Sequence, residues 1–422
     1  MPLQKGDKGV PLSKVISAWD LRATNFLNGD RLRAWCLVLG VALTVCYLGY
    51  LGMSSGGLDP MGHPLGADFP SFYTASKLAL TGHPEAAYDP EIHGAAQDAL
   101  FGRKLQYSAF FYPPIFLLYC LPLALVPYLA SLALFQGFTF WGYWSVTRRF
   151  SGPELGSLAI FAFPAVFLNL THGQNAFLSA ALFGAAILAL NARPIVSGIL
   201  FGCLAFKPHL GIVVPFVLLA ERRWPTIFAA AITVARLAAA ATAIFGLHIW
   251  QAFLADTSLA ASVLKDGLVE PYKMQSAYAA VRVLGGSHAV ASLTQGAVTL
   301  SVLGTLVWIT IRSPRREVEP PLMILAALLA TPFLLDYDLV LLAIPLAWLF
   351  AEGRRTGFAP YEKITMLAAY VLPLVSRALG KGLCLPLAPL VIAALFAIVA
   401  RRMLKEAASS ETRLNQSELL PA

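Results

Sequence analysis

The sequence predicts an all-α polytopic membrane protein, and three observations support this fold class. Of the 422 residues, 58% are hydrophobic and only 13% are charged, whereas soluble domains carry about 25% charged residues. Apolar runs of roughly 20 residues, the length that crosses the hydrocarbon core of a bilayer, recur from residue 34 to residue 403. Short clusters of Lys and Arg separate these runs, as expected for cytoplasmic loops.

The apolar runs leave no room for a separate soluble domain, so we expect a single transmembrane domain over residues 34–403. A basic segment, residues 1–33, precedes it, and residues 404–422 form a polar tail that we expect to be disordered. The first run is too long and begins too late for a cleaved signal peptide, so it predicts a signal anchor. We therefore expect a protein of the plasma (inner) membrane with both termini in the cytoplasm.

The basic clusters also predict how often the chain crosses the membrane. Because such clusters favour the cytoplasm, successive clusters after Arg149 must be joined by an even number of crossings. About twelve spans satisfy this rule, and thirteen would result if residues 110–146 crossed twice. The expected spans are residues 34–52, 110–146, 155–170, 176–190, 194–206, 210–220, 225–246, 289–311, 320–335, 339–350, 364–376 and 383–400.

Polar residues gather on the extracytoplasmic side of this topology. Two long loops, residues 53–109 and 247–288, lie there, together with several short connections. The polar groups are Asp68, residues 171–175, residues 207–209, Lys273 with Gln275 and Ser276, and Asp336 with Asp338. Loops without a function do not need carboxylates, amides and cations on one face, so this convergence indicates a site.

Each of these groups has a structural and a functional interpretation. Asp68 either lies at the start of the helix that Pro70 begins, where free backbone N–H groups favour an anion, or serves as a general base. Asp336 and Asp338 either cap the next span or bind substrate. Lys207 either snorkels to the membrane interface or holds an anion.

The remaining polar residues are less informative. His172 and His209 have the character of hydrogen-bonded loop histidines more than of ligands. Arg236 lies inside the predicted span 225–246 and is either a structural charge within the bundle or a phosphate contact. The net charge of +8 resides in the clusters that set orientation, so nucleic acid is not an expected partner. The sequence contains no zinc, Walker or nucleophile-elbow motif.

A set of short motifs occurs in order between residues 33 and 351. They are Gly66-Ala67-Asp68-Phe69, Phe72-Tyr73, Leu80-Thr81-Gly82, Tyr88-Asp89, Phe111-Tyr112-Pro113-Pro114, Gly173-Gln174-Asn175, Ala205-Phe206-Lys207-Pro208 and Gln275-Ser276-Ala277-Tyr278. This ordered set resembles glycosyltransferase family 87, whose members use polyprenyl-phosphate sugars. The chain departs from the family pattern at Asp336-Tyr337-Asp338, where the family usually has an Asp-His or His-His pair, and at Met274, where it has Asn.

The resemblance implies a C-type glycosyltransferase fold, with interfacial helices in the first extracytoplasmic loop and the active site outside the cytoplasm. Asp68 would be the catalytic base of an inverting transfer, commonly of mannose, from a polyprenyl-phosphate donor to a lipid or glycan acceptor. Lys207 and His209 would bind the donor phosphate, without a cofactor or a metal, although the nearby acids leave a metal open. The sugar and acceptor contacts would be Tyr73, Tyr112, His172, Gln174, Asn175, Gln275, Asp336 and Asp338.

Two other functions remain open from the sequence. A transporter or flippase of lipid-linked sugars would place polar residues at the middle of the membrane, whereas here most of them lie at the ends of spans. A non-catalytic membrane assembly protein would need Asp68 only as a helix cap.

Overall fold

A computed structural model describes residues 28–152, 156–267, 269–312 and 321–418 of the chain. These residues form helices and connecting loops, and three isolated backbone bridges are the β-type pairing found among them. The all-helical part of the fold prediction is confirmed. Residues 1–27, which make up most of the basic N-terminal segment, and Arg315-Arg316 of one basic cluster lie outside the described residues.

The α-helices are numbered here in chain order. They are α1 Gly29–Gly52, α2 Phe69–Leu80, α3 Pro90–Phe101, α4 Pro114–Cys120, α5 Tyr128–Ser151, α6 Gly156–Phe161, α7 Pro164–His172, α8 Ala176–Ala189, α9 Pro194–Cys203, α10 Pro208–Gly211, α11 Val214–Ala220, α12 Trp224–Phe245, α13 His248–Asp266, α14 Ala277–Val283, α15 His288–Arg312, α16 Leu322–Ala330, α17 Ala343–Thr356, α18 Glu362–Leu383 and α19 Ala388–Glu418. Short 3₁₀-helices occupy Pro84–Tyr88, Leu121–Leu125, Leu204–Phe206, Pro271–Lys273 and Asp336–Leu342.

Four of these helices, α1, α12, α15 and α18, are long and apolar enough to cross a membrane. Shorter apolar helices accompany them, among them α8 and the segment Pro194–Phe206. The length and composition of these elements are those of a membrane-embedded protein. The total of twelve spans stays a prediction.

Two predicted boundaries were wrong. The expected connection at residues 377–382 lies inside α18, and the chain turns at residues 384–387 instead. A glycine inside a helix costs only about 1 kcal/mol, so Gly380 and Gly382 do not end α18, whereas Cys384 has a positive φ of 52°. The expected span 155–170 is divided into α6 and α7, because Pro164 begins a new helix.

The first loop is attached to the end of α7 by a close backbone approach. The backbone N–H groups of Ala67 and Asp68 donate to the carbonyls of Thr171 (3.2 Å) and His172 (2.9 Å). A Cβ atom on Gly173 would lie 2.9 Å from the Cα of Gly66, and both glycines have positive φ. Only glycine allows this contact without strain, and it places Asp68 beside the residues that follow α7.

The second long loop is attached next to the Asp336–Leu342 segment. Met274 forms an isolated antiparallel bridge with Leu335, and the backbone N–H of Gln275 donates to the carbonyl of Leu334 at 2.6 Å. Ser276 then caps α14 by accepting a hydrogen bond from the Ala279 N–H. The loop is thereby held at the residues that immediately precede Asp336.

Aromatic packing connects the first loop to the segment that precedes Lys207. The rings of Phe72 and Phe116 lie 5.1 Å apart edge to face, and Phe116 also contacts Tyr112 at 4.4 Å and stacks on Phe206 at 5.1 Å. Such contacts contribute about 0.5–1.5 kcal/mol each beyond the buried area. This cluster fixes Tyr112 and the residue before Lys207 relative to α2.

Small residues let α9 and α12 pack closely side by side. A Cβ on Gly198 would meet Thr226 and Ala229, and one on Gly202 would meet Thr233, in each case at less than 3.0 Å. Gly202 comes after Gly198 on α9, and the residue that it faces, Thr233, comes after Thr226 and Ala229 on α12. The two helices therefore run parallel, with an offset of about 30 residues in sequence. Stripes of small residues are typical of helix pairs within membranes.

His93 joins the helices of the first loop. Its Nε2 lies 2.8 Å from the Thr74 hydroxyl and donates to the Ser71 carbonyl at 3.1 Å, while its Nδ1 lies 3.3 Å from the Tyr107 hydroxyl. The ring is fully buried. Burial lowers the pKa of His93 to about 4, so the folded loop keeps this histidine neutral under conditions in which an exposed histidine is protonated.

This lowered pKa predicts acid sensitivity. The unfolded chain binds a proton at His93 below about pH 6.5 while the folded chain does not, so stability falls as the pH decreases. Between pH 7.5 and 5 the loss is about 2 kcal/mol. The His93→Gln variant keeps hydrogen-bonding capacity but does not titrate. Thermal melting over this pH range should therefore show a smaller acid-induced shift for the variant, and equal shifts would contradict the assignment.

Candidate active site

Asp68 lies at the N-terminal end of α2 but does not cap it. The position is that of a cap, yet the side chain accepts no hydrogen bond from the first turn of the helix. Instead, its Oδ2 accepts a hydrogen bond of 3.0 Å from Nε2 of Gln174, a residue 106 positions along the chain. The half-buried carboxylate is therefore oriented by tertiary contacts, which argues against the capping interpretation.

Gln174 is itself held in one orientation. Its Oε1 accepts from the Tyr112 hydroxyl (3.2 Å) and from the Asn175 backbone N–H (3.1 Å), which directs Nε2 at Asp68. Its backbone carbonyl accepts from Gln136 Nε2 and Asn169 Nδ2, both at 3.0 Å. Buried polar groups are costly unless they are hydrogen-bonded, and most of the polar groups around Gln174 have a hydrogen-bond partner. The network fixes the direction of the Asp68 carboxylate.

Gln136 and Asn169 were not singled out from the sequence. Asn169 Nδ2 also donates to Gln136 Oε1 at 2.9 Å, and Asn169 Oδ1 accepts from the Ala176 N–H at 3.2 Å. Both are amide side chains on apolar helices, α5 and α7. Polar residues within membrane helices mark functional or structural contacts, and that signal could have found them.

Lys207 and Asp338 form a buried ion pair. Lys207 Nζ lies 2.6 Å from Asp338 Oδ1, and each side chain is 3% exposed. Lys207 directly follows the 3₁₀-helix Leu204–Phe206, and its Nζ also lies 5.4 Å from the centre of the Tyr337 ring. Burying two charges is tolerated only when they are paired. The sequence placed both residues in the site but did not predict that they pair with each other.

Tyr337 links the ion pair to Asp68. Its ring lies 5.4 Å from Lys207 Nζ on one side and contacts the ring of His172, whose carbonyl accepts the backbone N–H of Asp68. The sequence had treated Tyr337 only as a departure from the family pattern.

The Tyr337 ring also lies 5.7 Å from that of His172. His172 Nδ1 donates to the Leu168 carbonyl at 2.9 Å, so Nδ1 carries the ring proton when the histidine is neutral. The two rings are therefore neighbours, and the His172 carbonyl accepts the backbone N–H of Asp68.

Asp336 lies beside this cluster and faces Arg377. Its Oδ1 accepts the Tyr337 backbone N–H at 2.9 Å, and its Oδ2 lies 3.5 Å from Arg377 Nη1. Burial raises the pKa of the Asp336 carboxyl, while His172 and Arg377 act in the opposite direction and the Asp68 charge adds to the increase. The half-exposed Arg377 supplies a second cation, which the sequence analysis had not assigned to the site.

Three further residues that the sequence predicted for the site either direct their side chains elsewhere or contact the cluster without a hydrogen bond of normal geometry. The Tyr73 hydroxyl donates to the Val126 carbonyl at 3.1 Å, which directs it away from Asp68. The Gln275 side chain donates to the Tyr272 carbonyl at 3.3 Å, and this residue approaches Asp336 through its backbone. Asn175 lies near the Tyr112 hydroxyl, but its amide atoms make no hydrogen bond of normal geometry with the described residues.

His209 lies two residues after Lys207 and close to it. Its Nε2 is buried and makes no hydrogen bond with the part of the chain that the structure describes. Over the same residues, no group of three or more His, Cys, Asp or Glu side chains has an arrangement that could hold a metal ion.

The site thus joins an oriented carboxylate, a buried lysine and several hydrogen-bonding side chains. A bundle of apolar helices that carries such a cluster defines a membrane-embedded protein with the groups for acid–base chemistry. A sequence model of glycosyltransferase family 87 matches residues 110–345, which is more than half of the chain. The chain belongs to glycosyltransferase family 87, and the resemblance seen in the motifs is confirmed.

The family makes this protein a glycosyltransferase, which acts on a sugar donor and an acceptor. No curated protein and no solved structure gives a significant match. The matched region includes Gln174, Lys207 and Asp338 but begins after Asp68. The connection of Asp68 to the family region therefore depends on the contacts with His172 and Gln174.

The buried ion pair leads to a stability prediction. Lys207→Ala leaves the Asp338 carboxylate buried without its partner, which should cost about 3–5 kcal/mol. The double variant Lys207→Met/Asp338→Leu removes both charges and should recover most of this loss. Unfolding of the purified protein in detergent measures both effects.

Arg355→Gln is the matched control for this measurement. Arg355 is 67% exposed and pairs with Glu352, so its removal should change stability by only about 0–1 kcal/mol. A double variant as unstable as Lys207→Ala would mean that the pair is not the cause of the loss.

Proposed function

We propose that this protein transfers a sugar from a polyprenyl-phosphate donor to a hydroxyl group of a lipid or glycan acceptor. The transfer inverts the anomeric carbon and takes place on the extracytoplasmic face of the plasma membrane, and the family resemblance favours mannose. One observation carries the proposal: Gln174 orients the Asp68 carboxylate within the same cluster as the buried cation Lys207. A base and a phosphate partner are the two groups that this reaction requires.

Asp68 acts as the general base in this scheme. It accepts the proton of the acceptor hydroxyl while the hydroxyl oxygen forms a bond to the anomeric carbon of the donor. The bond between that carbon and the phosphate oxygen breaks, and its electron pair leaves with the polyprenyl phosphate. Because Gln174 holds Oδ2, the direction of the other carboxylate oxygen is fixed before substrate binds, which lowers the entropic cost of reaching the reactive geometry.

Lys207 stabilises the departing phosphate. An ammonium group has three N–H donors, and Asp338 accepts one of them, so others can donate to phosphate oxygens. Charge stabilisation by a group that is already positioned in a water-poor site is a large contribution to catalysis. His209, whose buried Nε2 has no partner among the described residues, is the neighbouring phosphate contact, and Asp336 and His172 face the sugar.

Arg236 supports a lipid donor. It lies on the exposed face of α12, not inside the bundle. Since α9 and α12 run parallel with Thr233 beside Gly202, Arg236 is at about the height of Phe206 and Lys207. A cation on a lipid-facing surface at this depth is costly unless an anion accompanies it. The phosphate of a membrane-bound donor is such an anion.

The role of Asp68 predicts a loss of turnover without a loss of fold. Asp68→Asn keeps the size of the side chain and can still contact Gln174, but it cannot accept the proton. Sugar transfer from a labelled polyprenyl-phosphate sugar in reconstituted vesicles should fall by about 10²–10⁴-fold, with unchanged thermal stability.

Glu91→Gln provides the control, because Glu91 is an exposed carboxylate on α3 of the same loop. It should leave turnover unchanged. Full activity of Asp68→Asn would remove Asp68 from the catalytic step, whatever the donor proves to be.

The role of Lys207 predicts a selective loss of affinity for the phosphate carrier. In the Lys207→Met/Asp338→Leu variant, binding of the product polyprenyl phosphate should weaken at least tenfold, because the cation is absent. Asp338→Asn keeps the lysine and should bind polyprenyl phosphate as well as the wild type or better. Competitive binding with a fluorescent polyprenyl phosphate measures all three proteins, and equal affinities would exclude Lys207 from phosphate binding.

A further inference from the structure

The proposed chemistry leaves one buried side chain of the candidate site, Tyr337, without a role. Tyr337 lies between two carboxylates, Asp336 and Asp338, at the start of a 3₁₀-helix. Because a 3₁₀-helix has three residues per turn, consecutive side chains point in directions about 120° apart. Asp336 accordingly faces Arg377, whereas Tyr337 and Asp338 both contact Lys207.

Two neighbouring side chains of this turn contact the Lys207 ammonium. Lys207 Nζ donates to Asp338 Oδ1 at 2.6 Å and lies 5.4 Å from the centre of the Tyr337 ring. A cation within about 6 Å of the centre of an aromatic ring is attracted to the face of that ring. Lys207 and Tyr337 are only 3% and 5% exposed. Since little water screens the attraction, the ring is a substantial partner of this cation.

The two partners affect the charge of Lys207 differently. The Asp338 carboxylate neutralises the ammonium and accepts one of its N–H groups. An aromatic ring attracts a cation through the negative face of its quadrupole and adds no net charge. A second carboxylate in place of Tyr337 would make the group negative overall, and it would repel a phosphate. The ring, in contrast, stabilises the buried ammonium while leaving its other N–H groups able to donate to phosphate oxygens.

The ring of Tyr337 is itself held by His172. The two rings lie 5.7 Å apart and are inclined at 53° to each other. His172 Nδ1 donates to the Leu168 carbonyl at 2.9 Å, which fixes the orientation of the imidazole. The His172 carbonyl in turn accepts the backbone N–H of Asp68 at 2.9 Å. Tyr337 is therefore packed against the residue that anchors the loop of the proposed base, and this packing keeps its ring beside Lys207.

We propose that Tyr337 is a positioning residue, whose ring holds the Lys207 ammonium in the orientation that receives the phosphate of the polyprenyl carrier. Without the ring, the ammonium is free to turn fully onto Asp338. Only the fraction of molecules that keeps the binding orientation then accepts the phosphate, and the apparent affinity for the carrier falls in proportion to that fraction. This inference rests on the proposed function, because it requires Lys207 to be the phosphate partner.

Changing the charge distribution of the ring while keeping its shape tests this role in the full chain. Tyr337→Phe removes the hydroxyl and serves as the reference. Nonsense suppression then places at the same position a phenylalanine whose ring carries three fluorine atoms, which withdraw negative charge from the ring face. We expect a fluorescent polyprenyl phosphate to bind about fivefold more weakly to the fluorinated protein than to Tyr337→Phe. Equal affinities would overturn the proposal, since a purely structural role depends on shape alone.

Two further proteins complete the series. Tyr337→Leu removes the ring and should weaken binding of the polyprenyl phosphate by about fivefold to thirtyfold relative to Tyr337→Phe. Equal affinities of Tyr337→Phe and Tyr337→Leu would refute the role of the ring, and the fluorinated protein remains decisive if Tyr337→Leu does not fold. The control is the same fluorinated residue at Phe183, which is fully buried 5.8 Å from the Phe201 ring. It should leave affinity unchanged, and a loss equal to that at Tyr337 would mean a general effect of fluorination and would also refute the role.

A double-variant cycle separates this inference from the proposed function. In the Lys207→Met/Asp338→Leu background the cation is absent, so fluorination at Tyr337 should have no further effect on affinity for the carrier. A fluorine effect of undiminished size in that background would show that the ring does not act through Lys207, and it would overturn this inference alone. If Lys207→Met/Asp338→Leu instead binds the polyprenyl phosphate as tightly as the wild type, the proposed role of Lys207 fails and the inference fails with it.

Discussion

The arrangement of the site depends on one backbone contact, the approach of Gly66 to Gly173. Because neither residue has a side chain, two backbone N–H groups of the first loop reach the carbonyls at the end of α7. That contact brings Asp68 to Gln174, and Gln174 then carries the connection onward to Tyr112, Gln136 and the rest of the network. A side chain at Gly173 would collide with Gly66 and Phe69 and would separate the carboxylate from the groups that orient it.

The polar network is expensive, and its cost explains its connectivity. Burying an amide without a hydrogen-bond partner destabilises the fold by about 1–3 kcal/mol, and burying an unpaired charge destabilises it more. Gln136, Asn169 and Gln174 therefore satisfy one another, and Lys207 pairs with Asp338 at 2.6 Å. Several buried polar atoms have no partner among the described residues, among them hydroxyls of α5 such as those of Ser131 and Thr147. One of these atoms, Nε2 of His209, lies close to the proposed phosphate partner, where a substrate can satisfy it.

Composition and the spacing of apolar runs were enough to predict an all-helical membrane protein, because the need to bury backbone polar groups in lipid leaves few other solutions. Ordered motifs were enough to predict the family and to name Asp68, Gln174 and Lys207. Tertiary structure alone decided which of these groups touch. The Asp68–Gln174 and Lys207–Asp338 contacts span 106 and 131 positions, and local sequence carries no signal for such pairs. Packing likewise decided that α18 continues through Gly380 and Gly382. The intrinsic free-energy cost of a glycine in a helix is smaller than the stabilisation that tertiary packing gives to the longer helix.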